Sequence, residues 1–137
     1  MALVLDASVV LARVLGDTQP RVGSTTFARM RLDEWVVPAV WWFEIRNALI
    51  VNERRGRATE PQSTEFLHDL SDMLITFDRT PDEATLMRLA RRHQLTVYSA
   101  ACLELALREG LPLATLDASL AAAARQEGVA VLGDDAR

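Results

Sequence analysis

"GLPLATLDASLAAAARQEGVAVL", residues 110–132, holds a strand, a helix and a second strand in succession. "PLAT" (112–115) and "VAVL" (129–132) are apolar runs too short to be helices, and the alanine-rich segment 118–127 between them reads as one. Gly110 and Gly128 each follow a helical run, where a left-handed residue closes the helix, and Pro112 is a second stop after Gly110. Two short strands joined by a helix pair in parallel through a right-handed crossover.

The same alternation extends back through the chain. "ALVL" (2–5), "WVV" (35–37) and "LITF" (74–77) are further strand candidates. Helical segments are predicted at 7–15, 20–31, 39–55, 61–72, 81–93 and 98–109, with Gly16 and Gly56 as additional closing residues. Thr80, Pro81 and Glu83 read as a cap, a first-turn proline and a capping-box partner. Near-continuous apolar strands separated by helices predict an α/β fold: a roughly five-stranded parallel sheet with helices on both faces. At 137 residues and 50% hydrophobic content, residues 1–137 are expected to form a single domain with a real core.

Composition removes several function classes. All 15 basic residues are arginine, so chemistry that needs a P-loop, Schiff-base or receiver-domain lysine is absent. A receiver domain would also carry an acidic pair after its first strand, where this chain has one acid. The net charge of −4 argues against a broad polyanion-binding surface. With one cysteine, Cys102, in a helical pattern of small and apolar residues, no disulfide framework exists, which fits a reducing interior. The opening "MALVLDASVV" lacks a basic leader region, and nowhere do 18 apolar residues run together. The expectation is a cytoplasmic protein with no membrane association.

In a parallel sheet of this kind, ligands gather beyond the carboxyl ends of the strands. Asp6 follows the first strand in "LVLDAS", and Asp117 follows the fourth in "LATLDAS". Either alone is well explained as a helix cap. Glu44, in "VWWFEIRNALI" (40–50), is different: it lies too deep in its helix to cap it, among tryptophans, a phenylalanine and aliphatic residues. Three converging carboxylates either raise one another's pKa values or share a cation. Oxygen donors without a histidine or cysteine cluster point to Mg2+ or Mn2+ and to phosphate chemistry. His68 and His93 lie in helical segments without ligand spacing and read as surface or boundary residues.

These segments resemble a known family. "LDASV", "VVPAVWWFEIRNAL" and "LARRHQLTVYSAACLELALREGLPLATLDASLAAAA", in this order and spacing, are similar to the PIN domain, in particular the VapC toxin of VapBC toxin-antitoxin pairs. The resemblance covers nearly the whole chain. It implies a PIN-like three-layer sandwich, Mg2+- or Mn2+-dependent endoribonuclease activity on RNA, a homodimer, and inhibition by a cognate antitoxin protein. It carries Asp6, Glu44 and Asp117 onto three of the family's four acidic positions, with Ser8 and Thr115 as hydroxyl donors beside them. The fourth position departs from the pattern. Where the family reads Tyr-Asp-Ala, this chain reads Tyr98-Ser99-Ala100, a neutral hydroxyl in place of a carboxylate, with Ser99 also able to cap the helix that begins near Tyr98. The alternative is therefore a catalytically weakened or inactive PIN-fold module that binds antitoxin or RNA.

Around Glu44, the same reading assigns Trp42, Ile45 and Leu49 to packing, Asn47 to orienting the carboxylate, and Arg46 to an RNA phosphate. Of Trp41 and Trp42, at least one is expected in core or dimer packing, with base stacking or an antitoxin helix as the other uses of an exposed ring.

Overall fold

The computed structural model describes residues 2–15 and 33–132. Five strands, β1 (Ala2–Leu5), β2 (Glu34–Val37), β3 (Ile75–Phe77), β4 (Leu113–Ala114) and β5 (Val131–Leu132), form one sheet in the order β3-β2-β1-β4-β5. Every neighbouring pair is parallel. The described helices are α1 (Ala7–Leu15), α2 (Trp41–Arg54), α3 (Glu60–Ser71), α4 (Glu83–His93), α5 (Val97–Glu109) and α6 (Ala118–Gln126). This is the α/β sandwich expected of the sequence. The predicted helix at 20–31 and its neighbour Gly16 lie outside the described residues.

Side chains alternate across a strand, so each strand feeds two cores. Leu3 and Leu5 of β1 pack with Val9, Trp35, Trp41, Ile45 and Leu70, under α1, α2 and α3. Val4 points the other way and joins Leu89, Leu103, Leu113 and Leu120, under α4, α5 and α6. Burial on both faces is why β1 reads as an unbroken apolar run. Small residues of α5 and α6, including Ala100, Ala106, Ala123 and Ala124, lie buried in the second core.

Helix ends follow local hydrogen bonding. Asp82 caps α4 by accepting from the Thr85 amide (3.1 Å) and hydroxyl (2.7 Å). Thr80 is therefore not the cap, Pro81 stays outside the helix and Glu83 is its first residue. Likewise Thr96, not Ser99, caps α5: the Ser99 amide donates to Thr96 Oγ1 (3.1 Å), and the helix starts at Val97. Thr59 and Gln62 form a reciprocal capping box at α3 that the sequence reading passed over. Gly110 closes α5 at φ 66°, a left-handed conformation that favours glycine. No helix among the described residues is long and apolar enough to cross a membrane.

The strand order fixes where a site can form. From β1 the chain builds outward to β2 and β3, then returns to set β4 on the other side of β1. The direction reverses between β1 and β4, so their carboxyl ends flank a crevice where loops diverge. Asp6 stands at one of those ends and Thr115 to Asp117 at the other.

Candidate active site

The two strand ends are tied together through Asp6. Its amide donates to the Ala114 carbonyl (2.9 Å). Its Oδ2 accepts from the Ser8 hydroxyl (2.6 Å) and the Thr115 hydroxyl (2.7 Å). Each hydroxyl has one proton to give, and both give it to Asp6. Their lone pairs are used on the backbone: Leu116 N–H donates to Ser8 Oγ (3.0 Å) and Asp117 N–H to Thr115 Oγ1 (3.0 Å). The carboxylate of Asp6 is thus held by groups that are themselves held.

Asp117 does cap its helix, since Oδ1 accepts from the amides of Ser119 (2.9 Å) and Leu120 (3.2 Å). Its charge nevertheless reaches Asp6. Burial pushes the Asp6 carboxyl above the ordinary carboxylate range, Ser8, Thr115 and the Ala7 amide pull it down, and the charge of Asp117 adds to the rise. Glu44 is also raised, by burial first and then by Asp6. Asp6 thus feels the charge of Asp117, and Glu44 that of Asp6. Among the described residues, no three carboxylate, imidazole or thiol groups stand together as a ready-made metal-binding set.

Glu44 lies in the first turn of α2, half-buried, while Trp41, Ile45 and Leu49 of the same helix are buried. The expected packing of Trp42 is corrected: Trp42 is 43% exposed, and Trp41 takes the core position against Phe77. Trp42 carries Arg46 instead, whose guanidinium lies 3.8 Å from the ring centroid and donates to the Trp42 carbonyl (3.1 Å). Asn47 is exposed. His68 is exposed, whereas His93 bonds Glu127 (2.7 Å) at the far end of α4.

Cys102 is the residue the sequence reading missed. It is buried on α5 with its thiol 3.9 Å from Asp6 Oδ1. Burial, then the charges of Asp6 and Glu44, push the thiol up, so it stays protonated. A signal was available: Cys102 lies three residues after Ser99 in α5, on the same helical face, so the segment that holds the fourth family position also presents the thiol. The half-buried Ser99 stands one turn nearer the helix start.

The donor chemistry fits a hard cation. The carboxylates of Asp6 and Glu44, raised by burial first and then by a neighbouring acid, disfavour their own charged forms, and a divalent ion would relieve that penalty. Such an ion needs only one or two carboxylates if it keeps several waters, as Mg2+ does.

The family model described as PIN domain matches residues 3–136. Solved structures of similar fold include PAE2754 from Pyrobaculum aerophilum, with TM-score 0.73, 21% identity, and coverage of 96% of this chain and 83% of that one. VapBC2 from Rickettsia felis, bound to a DNA fragment from their promoter, gives TM-score 0.64 and 10% identity over 96% of this chain and 97% of that one. FitAcB from Neisseria gonorrhoeae gives TM-score 0.59 and 18% identity over 97% of each chain. At these identities the likeness is one of fold. No curated protein matches the chain.

Proposed function

This chain belongs to the PIN domain family, and from that premise we propose that it is a divalent-metal-dependent endoribonuclease of the VapC toxin type, cytoplasmic, homodimeric and restrained by a cognate antitoxin. The observation that carries the proposal is the convergence on Asp6. A carboxylate fixed by two hydroxyls at the crevice between β1 and β4 shares its field with Glu44 and Asp117. The fold likeness to VapBC2 is consistent with the toxin branch.

In this reading Asp6, Glu44 and Asp117 are the residues that would hold Mg2+ or Mn2+. Bound there, the ion supplies positive charge to a phosphoryl oxygen and lowers the pKa of a water. The protein's own groups do the rest. Ser8 and Thr115 hold Oδ2 of Asp6, which leaves Oδ1, beside the Cys102 thiol, as the oxygen to meet the ion. Glu44, a half-buried carboxylate beside Asp6, would accept the proton of the attacking water. Arg46, two residues from Glu44 and stacked on Trp42, meets a flanking phosphate.

The test is cleavage of single-stranded RNA by the purified protein with Mn2+. Asp6→Asn should reduce the rate by more than about 100-fold, the upper end of what loss of a supporting partner costs a metal site. Cleavage that persists in EDTA, or that Asp6→Asn leaves unchanged, would remove the proposal.

A second reading has its own observation. Ser99 puts a neutral hydroxyl at the family's fourth acidic position, and no ready-made set of three ligands exists among the described residues. On that reading the chain is a weakened or inactive PIN-fold module that binds antitoxin or RNA, and the same assay gives no Mn2+-dependent cleavage.

A further inference from the structure

Beyond the carboxyl ends of β2 and β3 lies a cleft of about 230 Å³, walled by Val40, Leu86, Tyr98 and Ala101, with Asp78 and Arg79 as its charged residues. It adjoins the acidic site along two elements. Val40 stands one helical turn before Glu44, whose amide donates to the Val40 carbonyl (3.0 Å). Tyr98 immediately precedes Ser99, and Ala101 precedes Cys102. We propose that this cleft receives one nucleobase of the RNA strand, next to the phosphate held at the acids, stacked against Tyr98. The proposal rests on the nuclease reading and names its substrate contact.

Size selects this occupant. The volume lies below the roughly 300–1,000 Å³ of sites for drug-sized ligands, and a helix about 10 Å across does not enter it. A single flat ring does. Tyr98 is 56% exposed while lining the cleft, so its ring is open to a partner, and every base has a π-face to offer it. Charge points the same way. Asp78 is bound by Arg108 (2.6 Å), whereas Arg79 makes no ion pair among the described residues and is free for a phosphate. The wall is also braced. Arg108 grips the buried Glu104 (2.8 Å), and Glu104 accepts from the Asp82 amide (3.1 Å), so the segment from Asp78 to Asp82 is fixed before any ligand arrives.

The experiment measures binding in EDTA, where metal-dependent cutting is off. The probes are a fluorescent 2′-O-methyl oligouridylate and the same backbone made abasic. Wild type should prefer the base-bearing strand, Tyr98→Ala should weaken its binding about tenfold, the scale of one base–aromatic stack, and Tyr98→Phe should restore it. Arg79→Gln should weaken both probes alike. Equal binding of the two probes by wild type, or a Tyr98→Ala variant that binds as wild type does, would overturn the proposal. So would loss of self-association in Tyr98→Ala, by light scattering, without loss of oligonucleotide binding, because the cleft would then be a protein contact. Cleavage with Mn2+ is scored separately: binding without cutting leaves the cleft assignment standing and removes the nuclease reading.

Discussion

Ionising Asp6 costs the fold stability. Its pKa is higher in the folded protein than the ordinary carboxylate value, because burial outweighs the hydroxyls of Ser8 and Thr115. An acid of this kind binds protons more tightly when folded, so stability falls as pH rises from the ordinary carboxylate value through the raised one, and the penalty is complete above it. Asp6→Asn removes the charge while keeping an oxygen for both hydroxyls. The metal-free variant should therefore melt at or above the wild-type temperature at neutral pH. Its gain in Tm on adding Mn2+ should shrink, since only a ligand that binds the native state stabilises it. Equal gains in both proteins would leave Asp6 a purely structural residue. Ser99 allows the converse experiment. Ser99→Asp adds a carboxylate on the helical face of Cys102, and hard-cation affinity follows ligand charge. Mn2+ affinity by calorimetry should rise at least about tenfold, with faster RNA cleavage. A variant that binds no tighter and cuts no faster would mean that residue 99 does not face the acids.

Helix α5 joins the site to the rest of the molecule, and its most exacting interaction is polar. Glu104 is 1% exposed and is satisfied by Arg108 through Nε (2.8 Å) and a second nitrogen (3.0 Å). Arg108 is in turn raised above its ordinary pKa by Glu104 and Asp78, so it stays charged. Arg108→Met leaves a buried carboxylate without its partner and should cost about 3–5 kcal/mol in urea unfolding. The double variant Glu104→Leu with Arg108→Met should recover most of that loss, and a strictly additive double would contradict the pairing. None of this was legible in the sequence, because a glutamate and an arginine four apart also describe any solvated helix face. The strands were legible, since burial on both faces writes an apolar run into the chain, although β4 and β5 proved shorter than 112–115 and 129–132. Helix starts were less legible: at α4 the reading took Thr80 as the cap with Pro81 in the first turn, whereas hydrogen bonding to the Thr85 amide makes Asp82 the cap. Trp41 and Trp42 border the stripe of Ile45 and Leu49 on opposite sides, so periodicity could not say which faces the sheet. Asp6, Glu44 and Asp117 were found because acids at strand ends and one acid inside an apolar helix stand out from their neighbours. Cys102 did not, because a thiol in a small-residue helix looks like core.

At the scale of the molecule, two kinds of carboxylate oppose each other. Glu127 closes α6 against α4, bonded to His93 (2.7 Å) and close to Arg92 (3.5 Å) and Arg88 (3.8 Å). Its pKa is lowered, by the His93 hydrogen bond first, so its contribution is present above the ordinary carboxylate value and lost as pH falls through the depressed one. Asp6 and Glu44 shift the other way. Glu127→Gln should therefore be less stable than wild type at neutral pH, with the difference closing as the solution is acidified. Urea unfolding over a pH series checks this, and a gap that stays constant into acid would show that the contact with α4 is not electrostatic. The strand order has a further consequence, which belongs to the synthesis of the chain. Asp6 leaves the ribosome well before Thr115, which fixes its carboxylate from 109 residues behind it. β1 has no β4 beside it until then. A partly made chain carries Asp6 and Glu44 but neither the strand end that orients Asp6 nor the acid that completes the field around it. The proposed activity therefore cannot assemble on the ribosome making the chain before both Thr115 and Asp117 have emerged.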